Sequence, residues 1–266
     1  MKIDCHVHMP RKEGFLDELA AQCRAMGLDR VCLNGLARLY PDLADNADVI
    51  EAARRLPELI VPFAHVLLGR EGPGEVRRFH EQGFRGLKFI NPPANYDDKS
   101  FYPVYRAAEG LGMVCLFHTG IVLRTSRDRE CDINNDRMRP IRLDTIARAF
   151  PTLSIIGAHL GNPWQDEAAM AARWNPNLYF DLTGSTLKYR SPEFLRGILW
   201  WEETSAYREP TGRHAFEKIV FGTDASVAGM PEVAADYQRL MEALDLPERV
   251  RGAIWGDTLA RLLGLR

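Results

Sequence analysis

His6 and His8 stand two residues apart at the end of Lys2–His8, a stretch that alternates as a strand does. Residues i and i+2 of a strand share a face, so both imidazoles can converge on one ion. A His-x-His pair alone is a weak signal. It gains weight because His118, His159 and Asp224 each close an apolar run of their own. His6, His8, His118 and Asp224 would offer three imidazole nitrogens and one carboxylate, a donor set that suits Zn²⁺ and, less specifically, Mn²⁺, Fe²⁺ or Co²⁺.

Such an ion would be a Lewis acid able to bring the pKa of a bound water down to about 7. Asp224 could touch the metal and also take the water's proton. His159 is then expected beside the ion rather than on it, polarising the substrate or shuttling a proton near neutral pH. One ion is expected. A second would require Lys88, in the fourth apolar run, to be carbamylated and to bridge. A lysine inside a barrel must be paired, modified or neutral, and the favoured expectation is an amine paired with an acid such as Asp4 or with the substrate. Among the other histidines, His65 could line the pocket, whereas His80 and His214 read as peripheral.

These groups need a scaffold. Eight short apolar runs read as strands: Lys2–His8, Arg30–Gly35, Leu59–Val66, Phe84–Ile90, Met113–His118, Leu153–His159, Asn177–Leu182 and Lys218–Asp224. Amphipathic segments at helical spacing separate them. The first is Gly14–Met26, with Phe15, Leu16, Leu19, Ala20, Cys23 and Met26 on one stripe and Gly27 as its stop. Eightfold alternation of strand and helix predicts a single (β/α)₈ barrel over residues 1–266. A doubly wound open sheet is disfavoured, since no glycine-rich phosphate turn follows the first strand. In a barrel the chemistry sits at the carboxyl ends of the strands, where His8, His118, His159 and Asp224 all fall. Strict alternation places Asp4, His6 and His8 inward, with Ile3, Cys5 and Val7 toward the helices. In the fourth run it turns Gly86, Lys88 and Ile90 inward.

The two longest connections are Thr119–Arg139 and Thr183–Glu217, and loops of this length are more often functional than idle. The first carries Arg124, Arg127, Arg129, Arg137 and Arg139 among four acids. Arg124 or Arg139, flanking His118, is expected to hold an anionic part of the substrate, because a guanidinium grips a carboxylate bidentately.

Composition narrows the partners. The 266 residues are 46% hydrophobic and 26% charged, with a net charge of −2. These are globular values, with no bias toward nucleic acid or an acidic membrane surface. No apolar run approaches the roughly 18 residues of a membrane-crossing helix. Five cysteines without CxxC spacing suit a reducing compartment. The expectation is a cytoplasmic protein acting on a small molecule, with a homodimer left open.

With these residues in place, the chain resembles the amidohydrolase superfamily, in its amidohydrolase-related branch of metal-dependent hydrolases and decarboxylases. The matching segments are Asp4–His8, Gly86–Phe89, Phe117–Gly120, His159–Trp164, Phe221–Asp224 and Gly256–Leu263. They run in order along nearly the whole chain. The resemblance implies a distorted (β/α)₈ barrel, a metal held by His6, His8, His118 and Asp224, and an acid/base or carbonyl-polarising role for His159. Asp257 is a departure, since related proteins often carry Asn there, and it bears on packing more than chemistry.

Three functions compete. Metal-activated water could hydrolyse a carbon–nitrogen, ester or lactone bond. The same ligands could orient a carboxylated substrate for non-oxidative decarboxylation. A non-catalytic metal protein would need only four ligands and no acid/base group. Hydrolysis ranks first, because the sequence shows no dedicated carboxylate clamp.

Overall fold

The computed structural model describes residues 1–125, 128–202 and 214–265. Seven strands form one parallel sheet in sequential order: β1 (Ile3–His8), β2 (Arg30–Asn34), β3 (Ile60–His65), β4 (Gly86–Phe89), β5 (Val114–Phe117), β6 (Ile155–Gly157) and β7 (Leu178–Phe180). Helices cross over between successive strands, as parallel neighbours require. The sheet curls into a distorted TIM barrel.

The expected eighth strand, Lys218–Asp224, is not one. Ala215–Lys218 is a 3₁₀ turn, and the segment beyond it makes a single parallel bridge, Phe180 to Ile219. It nevertheless spans the gap between β7 and β1. Val220 N–H donates to Phe180 O at 2.9 Å, Cys5 N–H to Phe221 O at 2.9 Å, and Asp224 N–H to His6 O at 2.7 Å. The ring is therefore closed by sparse hydrogen bonds rather than by a regular ladder.

Side chains alternate into two layers. Inside lie Cys32, Phe63, Leu116, Ile156, Tyr179 and Val220, closed at the amino end by Leu259. Outside, Val31, Leu33, Leu87, Phe89, Cys115, Phe117, Leu178 and Phe221 meet the helices. Gly86 faces inward, where a β-carbon would lie 2.5 Å from the Phe63 ring. Ile90, beyond the end of β4, packs with the outer layer rather than inward.

Strict alternation fails in β1. Asp4 pairs with Val31 and Val7 with Leu33, so β1 carries one residue more than its partner over this interval. Such a bulge breaks the period of two. Ile3 and Cys5 consequently belong to the inner layer, not to the helix-facing one, while Val7 packs outward.

The helices follow their sequence signals. Phe15–Met26 buries Phe15, Leu16, Leu19, Ala20 and Cys23, and ends on Gly27 at φ 64°, a left-handed residue that glycine adopts without penalty. Asn46–Arg55 begins with a reciprocal cap: Asp45 accepts from Ala47 N and Asp48 N, and Asp48 accepts from Asp45 N. Among the described residues, no helix is long and apolar enough to cross a membrane. All five cysteines are free, with Cys5, Cys23, Cys32 and Cys115 buried.

Candidate metal centre

The bulge in β1 aims Cys5 and His6 at the same carboxylate: Asp181 Oδ2 is 3.9 Å from Cys5 Sγ and 3.0 Å from His6 Nδ1. His8, at the end of β1, projects to the same rim. Asp224 reaches them from the eighth segment, turned inward by a left-handed φ of 46°. Gly222 allows that approach, because a β-carbon there would lie 2.9 Å from Cys5 Sγ and 3.1 Å from His6 Cβ.

The result is a compact trio. Asp224 Oδ1 is 3.2 Å from His8 Nε2 and 3.8 Å from His6 Nε2, and the three donor atoms lie within 4.8 Å of one another. Donors about 2.0–2.2 Å from one ion are separated by such distances. His118 follows β5, tied by its N–H to Phe89 O at 2.8 Å. It stands outside the trio, with its ring 4.8 Å from that of His159. Its Nε2 is buried without a hydrogen-bond partner. An orphaned buried nitrogen is costly, and a metal ion would satisfy it.

Charge states suit an ion. Burial, then the nearby Lys88, pushes His6 down to about 4, against the pull of Asp224 and Asp181. Burial, with His159 and Lys88, pushes His118 well below its ordinary value. Neutral imidazole is the form that binds metal. Burial opposes the charge of Asp224, but His6, the His8 hydrogen bond and His159 outweigh it and hold that carboxyl well below the usual carboxylate range.

Asp181 is a further residue of the site, beyond those expected from the sequence. It follows β7 and organises the site. Oδ1 accepts from His159 N at 2.8 Å, Thr183 N at 3.0 Å and Thr183 Oγ1 at 2.6 Å, while Oδ2 faces His6 Nδ1. Two tautomers follow from this network. A carboxylate can only accept, so His6 carries its proton on Nδ1 and keeps a lone pair on Nε2, which faces Lys88 Nζ at 2.8 Å. Thr183 spends its hydroxyl proton on Asp181, so it must accept from His159 Nδ1, 2.7 Å away. His159 Nε2 faces Asp224 Oδ2 at 3.8 Å. Strand parity could have found Asp181, since inward Tyr179 makes the residue two beyond it inward as well.

Lys88 lies inside the barrel, but it does not pair with Asp4. Its Nζ is 2.8 Å from His6 Nε2, and burial, partly offset by Asp224 and Asp181, brings it down to about 8. Asp4 instead accepts from His6 N at 2.9 Å, Thr223 N at 3.0 Å and Thr223 Oγ1 at 2.6 Å. His65 pairs with Lys88 in the β3–β4 register and is buried, with Nε2 unpartnered.

The two expected arginines differ in their surroundings. Arg124 is exposed. Arg139 is held by Glu167 and, at 3.4 Å, by Asp136, with its guanidinium over the Trp164 ring. Arg127 lies outside the described residues, as does 203–213 of the second long connection. His214 starts the eighth segment, away from the rim, and its Nδ1 accepts from Phe216 N at 3.2 Å.

Solved structures share the fold at low identity. An uncharacterised TIM-barrel protein from Bordetella bronchiseptica superposes with a TM-score of 0.73 and 18% identity, covering 99% of this chain and 98% of its own. A probable 2-pyrone-4,6-dicarboxylic acid hydrolase from Acinetobacter baumannii, with citric acid bound, gives 0.65 and 14%, covering 99% of both chains. A dihydroxybenzoic acid decarboxylase from a Polaromonas species, with bound manganese and 2-nitroresorcinol, gives 0.65 and 16%, covering 99% of this chain and 96% of its own. A search of curated proteins returned no significant match. The amidohydrolase family model matches residues 3–265, almost the entire chain, and the protein therefore belongs to the amidohydrolase family.

Proposed function

We propose that this protein is a metal-dependent hydrolase that uses one divalent ion, Zn²⁺ by its donor set, to cleave a carbon–nitrogen, ester or lactone bond of a small molecule. His6, His8, His118 and Asp224 would hold the ion, which supplies Lewis acidity toward the scissile carbonyl and the attacking water. The His6 Nε2 lone pair can serve Lys88 or an ion but not both. Lys88 therefore yields that nitrogen when the site is filled.

The observation that carries the reading is that two proton-transfer groups face each other: Asp224 Oδ2 and His159 Nε2, 3.8 Å apart. Attack by water needs a base, and Asp224 Oδ2 accepts that proton. His159 Nε2 then takes it and delivers it to the leaving atom. Thr183 and Asp181 keep the other face of the ring occupied, so the shuttle works through Nε2 alone. Non-oxidative decarboxylation needs no activated water, and Arg139 is already held by Glu167 and Asp136.

The test is to incubate zinc-loaded protein with amides, lactones and aryl carboxylates in H₂¹⁸O. Hydrolysis places ¹⁸O in the product. Release of CO₂ without ¹⁸O uptake would replace the reading with decarboxylation.

A further inference from the structure

A cleft of about 330 Å³ opens directly onto His8 and Asp224. Its walls are Pro10, Phe15, Leu43 and Val227, drawn from the segments that follow β1, β2 and the eighth strand-like segment. These walls are fixed before any ligand arrives. Ala44 N–H donates to Met9 O at 2.8 Å, Arg11 N–H to Asp42 O at 2.8 Å, and Pro10 bridges Leu43, so the first two segments are stapled together. The third is held by Gly229 N–H and Met230 N–H, which donate to Ser226 O at 2.8 and 3.1 Å.

Its lysine is already paired. Lys12, at the rim, gives its ammonium to both oxygens of Glu18 at 2.7 Å, and the carboxylate of Asp224 lies at the floor. A larger cleft of about 740 Å³ lies between the β2–β4 loops and the loop after β5, and carries Arg38, Arg70 and Arg137. It touches none of His6, His8, His118, His159 or Asp224. Two of its arginines are already occupied, Arg38 by Glu71 at 2.8 Å and Arg137 by Asp132 at 2.9 Å.

We propose that the smaller cleft is a specificity subsite for an uncharged apolar part of the substrate, the size of a phenyl ring or branched alkyl chain, placing the reacting bond over His8 and Asp224. This rests on the metal-hydrolase reading and adds to it a substrate class. A preformed apolar cleft rewards the displacement of water by apolar surface without a large ordering cost.

The probes are acetohydroxamate and benzohydroxamate, which share a metal-chelating head and differ in the apolar group. Each is titrated calorimetrically into zinc-loaded protein. Benzohydroxamate should bind about tenfold tighter or better, the gain expected from burying a ring against apolar walls. In Val227→Asp and Leu43→Asp that preference should fall to about twofold. Acetohydroxamate should keep its wild-type affinity in both variants, which also reports an intact site. Metal-loaded protein that binds both probes equally overturns the cleft assignment alone, as does a preference that survives both variants, whereas metal-loaded protein that binds neither has no open position on the ion and defeats the hydrolase reading as well. Protein that takes up no metal defeats the hydrolase reading, and the subsite falls with it.

Discussion

Asp181 Oδ2 sits 3.0 Å from His6 Nδ1, while its other oxygen holds Thr183, the partner of His159. One carboxylate thus sets the tautomers of a candidate ligand and of the candidate proton carrier. Carboxylates behind ligating imidazoles typically contribute about 10–100-fold in metal affinity. Asp181→Asn should weaken zinc binding by about that factor, as read by competition with a chromophoric chelator. Unchanged affinity would mean that His6 needs no help in presenting Nε2.

Thr183→Val removes the hydroxyl that accepts from His159 while keeping the side-chain shape. Metal content should stay at the wild-type level and turnover should drop by about tenfold or more, as expected when a proton-transfer group loses its orientation. Inductively coupled plasma analysis and steady-state kinetics on the same preparations check this. Loss of metal would show that Thr183 supports the ligand cage instead.

Lys88 Nζ and an ion compete for His6 Nε2. Lys88→Met keeps the bulk and removes the competitor, so zinc should bind at least as tightly as in wild type. The same competition titration reads it. A marked loss of zinc, or a drop from two equivalents to one, would instead favour a carbamylated Lys88 bridging two ions.

Much of this was legible in the sequence. The seven strands and the helices between them follow period-2 and period-3.6 patterns that burial enforces. The barrel mouth could be located because His8, His118, His159 and Asp224 all end apolar runs. What escaped notice depends on contacts distant in the chain. The bulge that brings Cys5 inward arises from pairing with β2 and leaves no mark in the run Ile3–His8. Lys218–Asp224 is apolar enough for a strand, but it shares only scattered hydrogen bonds with its two neighbours. Asp181 lies within the apolar run Asn177–Leu182, and its partners His6 and His159 are distant in the chain. Arg139 looked available because its partner Glu167 is 28 residues away.

Thiol accessibility tests the layer assignment. Burial raises the thiols of Cys5 and Cys32 well above their ordinary value, and pushes Cys23 up to about 12. Cys131 alone among the five is partly exposed. Iodoacetamide on native protein should therefore modify Cys131 and spare the other four, as peptide mass spectrometry would reveal. Rapid labelling of Cys5 or Cys32 would contradict a closed inner layer.

The central claim is that His159 works beside an ion held by His6, His8, His118 and Asp224. Metal stoichiometry in His118→Ala and His159→Asn, set against turnover, tests it most directly. Wild type should carry about one equivalent, since a catalytic site of this kind holds one ion with a position left open. His118→Ala should lose most of that metal. His159→Asn should keep it while turnover falls by about 10²–10⁴, the range for losing a positioned proton-transfer group. If His159→Asn loses the metal together with the activity, His159 is a ligand and the account is wrong.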